Sequence, residues 1–169
     1  VSNVYFISDL HIGHKSILKF RNTSCKTLDE HDRMIIDRWN SVVQKRDTIY
    51  LLGDACMDRA KLPLLKELMG NKILIIGNHD KYGIDEYKKY FSDIHGFRTY
   101  KGYWISHAPI HPQELRGRKN IHGHLHNEIV RYRNGVPDDR YFSVCVDQLD
   151  NYAPIRFDKI KEITGGPEC

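Results

Sequence analysis

Four cysteines are spread through the 169 residues, at Cys25, Cys56, Cys145 and Cys169, and no two of them stand in a CxxC pair. That spacing supports neither a disulfide framework nor a thiolate zinc site, so the thiols are expected to be reduced and structural. Long apolar runs are missing as well. The strongest, ILIIG and TIYLLG, fall far short of the roughly 20 residues that cross a bilayer, and residues 1 to 20 carry no secretory pattern. The expectation is a cytoplasmic protein with no membrane partner. Charge of one sign is not in large excess either. A net charge of +4 favours anionic ligands but does not make the basic stripe of a dedicated nucleic-acid binder. Nucleic acid stays admissible as a substrate, without a binding domain devoted to it. No repeat, low-complexity segment or linker interrupts the chain, and 40% hydrophobic with 28% charged residues reads as one folded domain over 1–169.

What the sequence has in quantity is histidine, ten in all. Most of these stand near the ends of apolar runs. Strand-like runs are expected at Val4–Ile7, Thr48–Leu52, Lys72–Ile76, Tyr103–Ser106 and around Asn120–Gly123. Between the first two, Thr27 and Glu30 make a capping box ahead of Leu28, Ile35, Trp39, Val42 and Val43, which recur near helical spacing. RAKLPLLKELMG reads as a second helix closed by Gly70, with Pro63 in its first turn. The first half is therefore β-α-β-α-β. The second half carries a short helical stretch, DEYKKYF, then closely spaced strands, with RNG at 133 to 135 as a hairpin turn between NEIVRY and RYFSVCV, and a final helix, FDKIKEI. This order predicts an α/β (α+β) fold of two packed mixed β-sheets flanked by helices.

Each of the five runs leads into polar chemistry. Asp9 and His11 follow the first; residues two apart in an extended segment share a side, so both side chains can converge on one ion. Gly53-Asp54 follows the second, Gly77-Asn78-His79-Asp80 the third, His107 the fourth, and Gly123-His124-Leu125-His126 the fifth. Taken singly, these clusters also read as a helix cap, an Asx turn or a buried core histidine. Taken together, five sets of hard or borderline ligands at strand exits point to a dinuclear metal site, since the ends of strands are where α/β sheets place their sites.

In this order, Asp9-x-His11, Gly53-Asp54, Gly77-Asn78-His79-Asp80, His107 and Gly123-His124-x-His126 resemble the calcineurin-like metallophosphoesterases, and SDLHIGHKSI and NIHGHLH look like the compact single-domain members of bacteria and their phages. The resemblance implies that Asp9, His11 and His126 hold one divalent ion, that Asn78, His107 and His124 hold the other, and that Asp54 bridges them. It also implies His79 as the general acid, with Asp80 beside it as its partner. His14, Arg59 and His111 are candidate substrate contacts. An oxygen and imidazole set without thiolate suits Mn, Fe, Zn, Co or Ni, with manganese expected to activate in vitro. The expected reaction is hydrolysis of a phosphate ester by hydroxide held between two metals. A phosphodiester of a small or nucleotide-derived substrate is favoured over a monoester, and a non-catalytic metal-binding module is the more distant alternative. Asp58 and Arg59 stand four and five positions after Asp54, one further than in the protein Ser/Thr phosphatases of the superfamily, which argues against protein substrates.

Overall fold

The computed structural model describes residues 2–166; Val1 and residues 167–169, Cys169 among them, lie outside the described residues. In chain order the elements are β1 (Val4–Ile7), α1 (Ile17–Phe20), α2 (Leu28–Val42), β2 (Thr48–Leu51), β3 (Asn71–Ile75), α3 (Ile84–Tyr87), β4 (Asp93–His95), β5 (Phe97–Tyr100), β6 (Tyr103–Ser106), β7 (Lys119–His122), β8 (Tyr141–Ser143), β9 (Ile155–Arg156) and α4 (Phe157–Thr164). Two mixed sheets result. One runs β4-β3-β2-β1-β9 and the other β5-β6-β7-β8. In the first sheet β1 to β4 pair in parallel and β9 joins β1 antiparallel.

The central strands are buried on both faces, and their alternation divides the core in two. Tyr5, Ile7, Ile49, Leu51 and Leu74 turn to a cluster containing Ile35, Ile36 and Trp39 of α2. The residues between them, Phe6, Tyr50, Ile73 and Ile75, turn to a second cluster with Tyr103, Ile105 and Ile121 of the other sheet and with Phe157 and Ile160 of α4. A side-chain period of two thus makes each central strand a wall shared by two packing layers. Thr27 caps α2 as its sequence predicts, its Oγ1 accepting from the Glu30 amide at 3.2 Å, while the Glu30 carboxylate reaches one residue further back and accepts from the Lys26 amide at 2.7 Å.

Two local expectations are corrected. The segment after β2 forms a 3₁₀ helix over Arg59–Lys66 and ends before Gly70, which adopts φ +97° ahead of β3. Pro63 lies inside it and supplies no amide hydrogen, so an α-helical ladder would be broken there. The RNG hairpin shrinks to a single bridge, Arg131 to Pro137. Its second arm is used elsewhere: β8 pairs in parallel with β7, and the chain must travel back to the start of the sheet before β8 begins.

Candidate metal centre

β1, β2, β3, β6 and β7 all deliver their C-terminal ends to one place, and the first three are adjacent and parallel. Close approach of their exits requires glycine. A Cβ on Gly53 would lie 2.5 Å from His107 Nδ1 and 2.6 Å from the Gly77 Cα, and one on Gly77 would collide with the Asp54 carboxylate.

Asp9 and His11 do not sit on extended backbone, as the two-residue spacing predicts; both are left-handed, at φ 60° and 52°. Asp54, His124 and His126 are left-handed too, at φ 55°, 73° and 50°. Residues with a Cβ occupy this region at a cost, so surrounding contacts must impose it. For the first loop the contacts are visible. The buried guanidinium of Arg21 donates to the carbonyl oxygens of Asp9 at 2.8 Å and Leu10 at 3.1 Å, and α2 grips the loop through Asp32, whose carboxylate accepts from the Gly13 amide.

All seven ligand candidates come together. Ligand atoms of Asp9, His11 and His126 form one group within 4.8 Å of one another, and those of Asp9, Asp54 and His107 form another. Asn78 Oδ1 lies 2.8 Å from His107 Nε2 and 3.1 Å from His124 Nδ1, and the two imidazole nitrogens are 3.2 Å apart. Asp54 stands between the groups. Its Oδ2 is 3.7 Å from His11 Nε2 and 3.6 Å from His107 Nε2, while its Oδ1 accepts from the His79 amide at 2.9 Å.

The residues fit divalent cations because several of their buried ligand atoms, Asp9 Oδ1 and both His11 nitrogens, have no hydrogen-bond partner. His107 Nδ1 donates to the Leu52 carbonyl at 2.8 Å, which turns Nε2 toward Asn78 Oδ1 and the other ligand candidates. His126 Nδ1 likewise donates to Asp147 at 2.9 Å and leaves Nε2 for a ligand. Asp9 Oδ2 accepts from the His124 amide at 2.9 Å and from the Cys145 thiol at 3.1 Å, whereas the buried Asp9 Oδ1 has no hydrogen-bond partner. His11 Nδ1 and Nε2 are buried and unpartnered as well. Burial pushes the His11 pKa down to about 3, so its ring is neutral. Orphaned acceptors in a buried pocket are costly, and a cation relieves the cost.

Several contributors carry no sequence signal. Arg21 is joined to Asp147 through both carboxylate oxygens, at 2.8 and 3.1 Å, and so connects the Asp9 loop to His126. Burial would raise the Asp147 pKa, but His126 and Arg21 hold it well below the usual carboxylate range; the hydrogen bond that His126 donates to Asp147 in turn raises His126. His31, which has no role by sequence, accepts from Arg21 at 2.9 Å and contacts Asp32 at 3.1 Å. Cys145 is pushed up to about 12 by burial and therefore stays a thiol that can donate to Asp9.

The remaining candidates separate. His79 and His14 line a cleft of about 460 Å³ beside His11 and His126. His79 Nδ1 has no partner, and its ring centroid lies 5.8 Å from that of His11. Asp80 does not bond to that nitrogen. Its carboxylate accepts from the amides of Asp54, Ala55 and Gly77 at 2.8 to 3.0 Å and so fastens the second and third strand exits to each other. Arg59 is 69% exposed, paired with Glu86 at 3.3 Å and set over the Tyr82 ring, outside the residues lining the cleft. His111 is exposed, accepts from the Gln113 amide and caps a single 3₁₀ turn, also outside that lining.

Comparison with known proteins agrees with this geometry. An uncharacterized protein of Methanocaldococcus jannaschii is 31% identical over 95% of this chain and 90% of its own length. The gene 66 protein of Mycobacterium phage D29 is 28% identical over 99% of this chain and 98% of its own. A crystal structure of a protein of unknown function from Aquifex aeolicus superposes with a TM-score of 0.73 at 26% identity, covering 96% of this chain and all of that one. The family model for the calcineurin-like phosphoesterases matches residues 2–162, and the chain belongs to that family.

Proposed function

We propose that the protein hydrolyses phosphodiesters with two divalent ions, the first held by Asp9, His11 and His126, the second by Asn78, His107 and His124, with Asp54 shared. The observation that carries this reading is Asp54 Oδ2, placed 3.7 and 3.6 Å from one imidazole nitrogen of each group while the other oxygen is tied to an amide. When bound, two such ions polarise the phosphoryl group and lower the pKa of a water.

The chain's own residues supply the rest. The His79 amide fixes Asp54, and the same bond sets the His79 side chain in the cleft. With no protein group bonded to His79 Nδ1, the imidazole is free to carry a proton to the oxygen of the leaving alcohol. Asp80 acts at one remove, by holding the backbone that presents Asn78 and His79. Manganese is the proposed activating ion, by its acceptance of an oxygen and imidazole set.

Charge favours the diester. Two divalent ions against Asp9 and Asp54 leave about +2, which a diester monoanion and one hydroxide neutralise; a monoester dianion exceeds it. Arg21 and Asp147 cancel each other and leave that balance unchanged. Arg59 supports no protein-phosphatase reading, since its guanidinium is engaged by Glu86 and Tyr82.

The test is kcat/KM of manganese-loaded protein on bis-aryl diesters and on the matched aryl monoesters. The diester is expected to be the better substrate. A monoester preference of about tenfold or more, roughly 1.4 kcal/mol of transition-state discrimination, would replace the reading with a phosphomonoesterase.

A further inference from the structure

Part of the cleft has no place in the chemistry above. Phe20, the last residue of α1, is 70% exposed and lines the cleft together with Ile17 and Leu125. Its ring lies nearly parallel to that of His14, at an interplanar angle of 12° and a centroid distance of 6.4 Å. His14 in turn sits 5.6 Å from His11, so a run of rings leads from a metal-ligand candidate to the open end of the cleft. The position of Phe20 is imposed by its neighbour. Arg21 is buried and tied to Asp147, Asp9 and Leu10, which fixes the backbone where α1 ends and leaves the phenyl ring outside the core.

Isolated exposed aromatics are common and mean little. This one lies in the cleft that holds His79, beside a parallel imidazole, and Asn127 and Glu128 of the same lining add an amide and a carboxylate. Flat apolar area flanked by a few polar groups is the composition of a small-ligand subsite. Among the described residues the lining contains no Lys or Arg, so a nucleic-acid strand would find no track for its successive phosphates.

We propose that Phe20 and His14 form a shelf for the base of a mononucleotide-sized phosphodiester, with Asn127 and Glu128 available to its base edge or sugar hydroxyls. This rests on the phosphodiester reading and selects the nucleotide-derived class within it. A base has two π-faces to offer the ring; an aliphatic diester has none. Stacking of a base on an aromatic side chain contributes about 5- to 100-fold in affinity.

Binding of adenosine 5′-monophosphate and of ribose 5-phosphate to the manganese-loaded protein, measured by titration calorimetry with free phosphate assayed to exclude turnover, tests the shelf. The nucleotide is expected to bind about tenfold or more tightly than the sugar phosphate. Phe20→Ala should bring that ratio close to one, and Phe20→Tyr should keep it. Equal affinities in the wild type, or an unchanged ratio in Phe20→Ala, overturn the proposal. The two readings fail separately: a protein that cleaves diesters yet binds both phosphates equally loses only the shelf, while one that prefers the nucleotide yet cleaves only monoesters keeps the shelf and loses the diester.

Discussion

Asp147→Ala removes one carboxylate that serves two partners, and its consequences differ for folding and for metal. The side chains of Arg21 and Asp147 are 0% and 7% exposed, and they meet through two hydrogen bonds of 2.8 and 3.1 Å. Without Asp147 the guanidinium stays buried with only the Asp9 and Leu10 carbonyls and His31 to receive it. Breaking a buried pair on one side costs about 3–5 kcal/mol. For a domain of this size each kcal/mol lowers Tm by about 2–4 °C, so the metal-free variant should melt about 6–20 °C below the wild type. His126 loses its Nδ1 acceptor at the same time, and removal of such a supporting carboxylate typically weakens metal binding about 10- to 100-fold. Calorimetric melting in chelator reads the first effect and manganese titration the second. Asp147→Asn, which keeps an acceptor for the guanidinium and for His126 but no charge, should lose less stability than Asp147→Ala. A metal-free Asp147→Ala that melts within about 2 °C of the wild type, with unchanged manganese affinity, would refute the argument that this pair holds the first ligand group together.

His79→Ala should leave both ions bound and slow esters with poor alkoxide leaving groups by about 10²- to 10⁴-fold, with nitrophenyl esters affected much less. Rates plotted against leaving-group pKa check this, and equal slopes for wild type and variant would make His79 a positioning residue. Acid should destabilise the metal-free protein through His122, which is buried and whose pKa is pushed down to about 4. The unfolded chain takes up that proton near pH 6.5 and the folded chain does so only near 4, so stability falls as pH drops through this window, by up to about 3 kcal/mol. His122→Gln should flatten the decline in Tm between pH 7 and 4; an unchanged decline would assign it to other groups.

The sequence by itself determined which residues could be ligands and in what order the sheet would present them. Asp9, Asp54, Asn78 and His124 each follow an apolar run within three positions, and runs such as Ile49 to Leu51 and Ile73 to Ile75 are buried in the strands they predict. Covalent adjacency to a strand end carries a ligand candidate to the site with little help from tertiary contacts, so local pattern was enough. It was not enough for the groups that hold these candidates. Asp147 is 126 positions from Arg21, and Cys145 is 136 positions from Asp9; both arrive only because the chain after β8 runs beside the exit of β1, where Ser8 and Cys145 form a parallel bridge. Nothing in the spacing of an arginine or a cysteine announces such a partner. Adjacency also misled where backbone direction decides: Asp80 follows His79 in sequence, yet its carboxylate turns to three amides around Gly53 and Gly77, because that turn leaves those donors open and the low-dielectric interior makes an unmet donor costly. The left-handed backbone at Asp9, His11, Asp54, His124 and His126 belongs to the same category. Few residues with a Cβ adopt it, and the contacts that hold the first loop, at the Asp9 carbonyl and the Gly13 amide, come from an arginine and an aspartate distant in sequence.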